Sequence, residues 1–310
     1  MSGDGSSLTS EEFDGLFERL KNWGRWGEED ELGTLNFLGD AEVAQAAALV
    51  RTGRRVSLGR PLDTVSGPDN GRPALHYMTR LGDGRAGEPS FYMDFIGVDF
   101  HGKSASHIDA LPHVAYKGLL YNGKRAGEVL GSAGSSFAAV SCLSRGVVAR
   151  GVLLDAARAR GVDWIEPPEA LGAADLESVA RTLGVEVRRG DAVLVRSGQM
   201  RRRQALGPWD PDQSSVGLAV SAMELLAERQ VALLGGDGDS DARPSPIEES
   251  DSPIHVLAIN ALGMPMLDNL DLESLSEACA EAASYEFLLV VAPLIVPGGT
   301  GSPVNPIAVL

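Results

Sequence analysis

Three of the chain's five histidines fall within one short stretch, His101-Gly102-Lys103-Ser104-Ala105-Ser106-His107-Ile108-Asp109-Ala110-Leu111-Pro112-His113. Imidazole titrates near neutral pH and is the commonest metal ligand, so histidines gathered around an aspartate point to metal binding or proton transfer. On an extended segment, residues two apart face the same side. His107 and Asp109 therefore converge on one ion, a donor pair suited to zinc or manganese. His101 lies at an even spacing before them and shares that face if the chain stays extended. A strand-end histidine bonded to a backbone carbonyl explains one isolated imidazole better than it explains three beside a carboxylate.

Other candidate sites carry less. His255, in Ser252-Pro253-Ile254-His255, sits in an apolar helical pattern, where a lone histidine is usually a satisfied core residue; Asp268 follows in the next segment. Gly235-Gly236-Asp237-Gly238-Asp239-Ser240-Asp241 follows an apolar run and reads as a turn at a strand end that lines the site. It lacks the closing glutamate of a calcium loop. No complete phosphate-cradling glycine pattern and no G-x-S-x-G elbow occurs. Arg201-Arg202-Arg203 reads as a solvated loop, with an anionic substrate tail as the alternative.

The elements that must position these residues alternate irregularly. Helical spacing marks Glu11–Leu20, Asp40–Val50, a segment after Asp175 as cap, a segment opened by a Ser221/Glu224 capping box, Ile254–Leu262 and Leu272–Ala283. Apolar or β-rich runs mark strands at 56–58, 91–100, 147–154, 191–196, 231–234 and 287–296, the last closed by Pro297-Gly298-Gly299. The glycine- and proline-rich residues 63–75 read as a loop. Trp23 and Trp26, beside glycines, are expected to pack on the domain surface. This mixture predicts an α/β fold with a mixed central sheet flanked by helices. Residues 1–20 are expected as a flexible N-terminal segment and residues 21–310 as one domain.

Composition narrows the partners. The 310 residues carry 27 Lys and Arg against 43 Asp and Glu, a formal charge of −16. Phosphate backbones repel such a chain, which excludes nucleic acid as the expected partner, and anionic membranes do the same. No run approaches the roughly 18 apolar residues of a membrane span. The polar start, Met1 to Ser7, does not resemble a secretory signal. Cys142 and Cys279, both in apolar runs, are expected as core residues rather than a disulfide. A cytoplasmic location follows as the expectation.

The stretch 103–113 resembles the signature H-x-G-T-H-x-D-x-P-x-H of the cyclase superfamily that includes bacterial kynurenine formamidase and isatin hydrolase. Gly33-Thr34-Leu35-Asn36, Gly151–Asp155, Gly190–Val195, the run from His255 through Met264-Pro265-Met266-Leu267-Asp268-Asn269, and Pro297–Pro303 are similar to further family segments. The resemblance implies a swivelling β/β/α domain, assembled as a homodimer or homotetramer whose subunits complete each other's pockets. It implies metal-ligand positions at His107 and Asp109, a general acid/base at His113, and further ligands at His255 and Asp268. The family's first histidine is Lys103 here, and its Gly-Thr is Ala105-Ser106. Either Lys103 points away and His101 replaces it as ligand, or metal binding is weakened or lost.

The function so implied is hydrolysis of an amide, lactam, lactone or ester of a small organic acid-type metabolite, with a divalent ion, Zn or Mn. Two rivals stand beside it. One is a cyclase or dehydratase closing a ring on a polyketide-like intermediate without net hydrolysis, in which Lys103 with a depressed pKa serves as base. The other is a binding protein on a decayed enzyme fold.

Overall fold

The computed structural model describes residues 8–82, 84 and 87–310. In chain order its principal strands are β1 (Arg55–Ser57), β2 (Leu75–Leu81), β3 (Tyr92–Gly97), β4 (His107–Asp109), β5 (Val147–Asp155), β6 (Ala192–Arg196), β7 (Leu233–Gly236), β8 (Met266–Asp268), β9 (Glu286–Val291), β10 (Gly301–Pro303) and β11 (Ile307–Val309). Nine of them form one mixed sheet in the order β1-β11-β9-β5-β6-β7-β8-β4-β10. Its middle, β5-β6-β7-β8, is parallel; the strands on either side run antiparallel. The α/β class with a mixed central sheet flanked by helices is thus borne out.

Successive strand residues point to opposite faces, so a sheet buried on both sides needs apolar residues at every position. β5, β6, β7 and β8 meet this requirement over most of their length, with Arg150, Asp155, Arg196 and Asp268 as the charged exceptions. Val152, Leu154, Val193, Val195, Leu234 and Met266 enter one apolar layer. Leu153, Ala192, Leu194, Leu233 and Leu267 enter the other. Helices cover both layers. The first packs under α1 (Ser10–Leu20), α2 (Ala173–Leu183) and α3 (Val220–Glu228); α4 (Glu273–Ala282) covers the second.

Several boundaries differ from the sequence expectation for identifiable reasons. The flexible segment set at residues 1–20 does not extend through α1. Thr9 caps α1 with a reciprocal bond from Glu12, and Phe13, Leu16 and Phe17 are buried; the expectation for residues 1–7 falls outside the described residues. Gly172, not Asp175, caps α2, while Asp175 reaches back to the Gly172 amide. Ser221 caps nothing in α3 and accepts a bond from the Ala173 amide instead. Arg201–Arg203 lie on a helix, Gln199–Leu206, and each pairs with carboxylates. β9 stops at Val291, because Pro293 has no amide to extend the ladder. The helix expected at 254–262 is an α turn at Pro253–His255 that widens into a π-helix over Val256–Leu262. Every residue of that π segment is buried, so packing on all sides replaces the usual period.

The β2–β3 hairpin pairs only within itself, and its large apolar side chains are exposed on both faces. Leu81 is 70% exposed and Tyr92 68%.

Gly301 of β10 stands opposite Asp109, and a methyl group there would meet the Ile108 carbonyl at 2.4 Å and the His101 ring at 3.0 Å. Gly301→Ala is expected to cost about 1–3 kcal/mol, read as a lower urea midpoint, because overpacking forces strands apart.

Candidate metal centre

β4 is three residues long, and its alternation does the positioning. Ile108 enters the sheet's second apolar layer, so His107 and Asp109 face the first. β8 pairs antiparallel with β4 in the register Asp268 opposite His107. Asp268 therefore joins the same face. His255, at the end of the α turn before the π-helix, lies on that side too. His101 and His113 come from the segments that enter and leave β4.

These residues meet. The Asp109 carboxylate is fully buried, with His101 Nδ1 at 2.8 Å and His107 Nε2 at 3.5 Å from Oδ1. His255 Nε2 is 3.5 Å and His113 Nε2 3.9 Å from Oδ2. His255 Nε2 is also 3.1 Å from Asp268. The His113 and His255 ring centres lie 6.3 Å apart. Two stretches distant in sequence thus share one centre.

The bonding pattern suits a cation. Both Asp109 oxygens are buried without a hydrogen-bond partner, as is one oxygen of Asp268. The 2.8 Å approach of His101 is close but lacks hydrogen-bond alignment, so it is proximity rather than a satisfied bond. Three imidazoles have one nitrogen held from outside and the other turned inward. His255 Nδ1 meets Asp241 at 2.5 Å, His101 Nε2 meets the Thr300 hydroxyl at 2.9 Å, and His107 Nδ1 donates to the Ala105 carbonyl at 3.3 Å. Anchoring the outer nitrogen fixes the ring and directs the inner one, as around bound metals. Donor atoms of His101, Asp109 and His113, and of His107, Asp109 and Asp268, lie close enough to share an ion.

His113 differs. Among the described residues no hydrogen bond anchors its ring, which stacks on His101 at 3.8 Å and is 28% exposed. Burial pushes its pKa down to about 4, against the pull of Asp109, so the imidazole is neutral at pH 7. Burial alone would raise the Asp109 pKa, but His107, His101, His255 and His113 hold it well below the ordinary carboxylate range. Burial likewise opposes the charged form of His255, yet Asp268, Asp109 and Asp241 raise its pKa well above the ordinary value.

Lys103 is not among the inward groups. It pairs with Asp239 and lies 3.7 Å from Asp212. Lys103 thus points to these carboxylates, while His101 Nδ1 lies 2.8 Å from Asp109. Burial lowers the Lys103 pKa, against the pull of Asp212 and Asp268. Sequence reasoning missed Asp241 and Thr300. Asp241 lay inside the aspartate-rich turn, whose period gave no sign of which carboxylate turns inward.

A family model described as Putative cyclase matches residues 44–240, which takes in β4 but stops before His255 and Asp268. Among solved structures, one titled a novel cyclase is 28% identical with a TM-score of 0.83, over 95% of this chain and 99% of that one. Isatin hydrolase A from Labrenzia aggregata, bound to benzyl benzoate, is 20% identical with a TM-score of 0.58, over 85% and 94%. A structure titled a potential metal-dependent hydrolase with cyclase activity is 15% identical with a TM-score of 0.51, over 82% and 98%. The latter two share the fold with this chain. Among curated proteins, none matches.

Protein purified without chelator is expected to carry divalent metal by elemental analysis. Asp109→Asn is expected to bind it at least tenfold more weakly, and chelation to lower the melting temperature of the wild type.

Proposed function

This chain belongs to the Putative cyclase family, and from that premise we propose that it is a metal-dependent hydrolase acting on an acyl C–N or C–O bond of a small metabolite. The substrate is an amide, lactam, lactone or ester, and the ion is zinc or manganese. The observation that carries this is the contrast between three imidazoles anchored from outside and a fourth, His113, that is not.

His101, His107, Asp109, His255 and Asp268 would hold the ion. When bound, it would polarise the acyl carbonyl and make water more acidic. The chain's own groups do the rest. Neutral His113, at the partly exposed side, takes a proton from the attacking water at Nε2 and returns it to the leaving nitrogen or oxygen. Asp241 holds the His255 ring so that Nε2 stays directed at Asp109 and Asp268. Thr300 does the same for His101. The imidazole stack of His101 on His113 limits rotation of the base.

The alternative, ring closure without net hydrolysis, drew support from Lys103 as a replacement base. The contact of its ammonium with Asp239 weighs against that role. A cytoplasmic, soluble enzyme is the accompanying reading; among the described residues no helix is long and apolar enough to cross a membrane.

A homo-oligomer is part of the proposal. Large apolar patches exposed on a single chain mark interaction surfaces, and the β2–β3 hairpin exposes Leu75, Tyr77, Tyr92, Phe95 and Ile96 at 42–68%. Gly97 at its base is four residues from His101, so a second copy packed on the hairpin stands next to the centre.

His113→Ala is expected to lower kcat by about 10²–10⁴-fold with metal content unchanged; full activity in that variant removes His113 from the role. In ¹⁸O-water the wild type is expected to place label in the acid product, whereas an unlabelled cyclic product supports ring closure. Tyr92→Glu with Phe95→Glu is expected to shift the mass by light scattering toward one chain.

A further inference from the structure

A narrow cleft with about 40 Å³ of free volume has Arg60, Lys103, Gln199, Arg203, Trp209 and Asn269 in its walls, the last of these next in the chain to Asp268. Its position is fixed by one serine. Ser106, which precedes His107, donates its hydroxyl proton to the Asn269 carbonyl at 2.6 Å and accepts the Arg60 amide at 2.9 Å. Asp268 stands opposite His107, so Ser106 and Asn269 form the next step beyond the two candidate ligands. Arg60 is tied to that step through its backbone.

Most charged groups in the walls are held in close contacts. Lys103 pairs with Asp239. Arg203 pairs with Asp69 and Asp63. Asp237 accepts the amides of Ser197, Gly198 and Gln199 and the Ser197 hydroxyl. The half-buried Arg60 guanidinium makes no close hydrogen bond or ion pair among the described residues, although Asp69, Asp63 and Asp271 act on it from a distance and Arg203 opposes them. Asn269 is 4% exposed, and its side-chain nitrogen has no acceptor. An arginine presents a planar fork of donors that matches a carboxylate in two parallel bonds. A doubly charged phosphate would meet Asp69, Asp237 and Asp239 in the same walls, whereas a singly charged carboxylate asks for one cation. Trp209 is also in the wall, with the Arg202 guanidinium over its ring at 4.6 Å.

We infer that Arg60, with Asn269 beside it, binds a carboxylate of the substrate, so that the substrate class is an organic acid carrying its scissile acyl bond toward the histidine centre. The identification as substrate rests on the hydrolase proposal; the carboxylate site does not. Arg60 is then a specificity residue, and Ser106 ties it to the strand that bears His107 and Asp109.

The test uses benzoate and its neutral counterpart benzamide as probes, titrated calorimetrically into protein as purified, with metal content measured on every sample. Wild type is expected to bind benzoate at least tenfold more tightly than benzamide. Arg60→Gln is expected to weaken benzoate on the order of tenfold or more without changing metal content, and Arg60→Lys to recover part of the loss. Asn269→Asp, which sets a like charge in the cleft, is expected to abolish benzoate binding. Equal benzoate affinity in Arg60→Gln overturns the inference, as does absence of benzoate binding to wild type. Benzoate binding lost on chelation yet kept in Arg60→Gln also overturns it, by assigning the carboxylate to the ion. Label incorporation from ¹⁸O-water separates the two claims. Hydrolysis without Arg60-dependent binding defeats this inference alone, and Arg60-dependent binding without hydrolysis defeats the hydrolase proposal alone.

Discussion

The Asp109 carboxylate is the constraint around which the rest is arranged. A carboxylate taken into a dry interior costs several kcal/mol unless charge and hydrogen bonds compensate it. Here neither oxygen has a hydrogen-bond partner, and compensation comes from imidazoles on separate segments. Those segments must be delivered to one point. The short strand β4 does this by lying between β8 and β10. One neighbour brings Asp268 opposite His107, and the other brings a glycine opposite Asp109, leaving room for the His101 ring. A side chain on that glycine would intrude where the centre is assembled.

The surrounding aspartates hold the centre without joining it. In the run Gly235–Asp241, three carboxylates at alternate positions take three duties. Asp237 gathers the amides at the start of the Gln199–Leu206 helix. Asp239 draws Lys103 away from the histidines. Asp241 fixes the outer nitrogen of His255 and accepts the Ile254 amide that starts its turn. A chain with an excess of acid thereby keeps a lysine ammonium apart from a place that favours a cation. The cost of burying Lys103 is offset by carboxylates supplied from a different strand end.

Much of the first half of the site was legible because it is local. The pairing of His107 with Asp109 follows from strand alternation, and the position of β4 after a β-rich run was readable from composition. The parallel core strands were readable as continuous apolar runs, since burial on both faces leaves no polar alternation. The β2 half of the hairpin was not read, because its exposed residues share no one-sided pattern. Boundaries failed where a neighbour decided them: Ser221 fits a cap by sequence but is drawn to the Ala173 amide, and the arginine run forms a helix because carboxylates on other segments neutralise it.

What the sequence determined by itself was the fold class and the chemical character of the centre, because both depend on residue types at short, regular spacings. The direction of Lys103, the anchoring of His255 by Asp241 and of His101 by Thr300, and the placement of Arg60 at the cleft were decided only by tertiary structure. Each of those is a choice among partners that are distant along the chain. Their distances are set by strand order and register, quantities that no local spacing encodes.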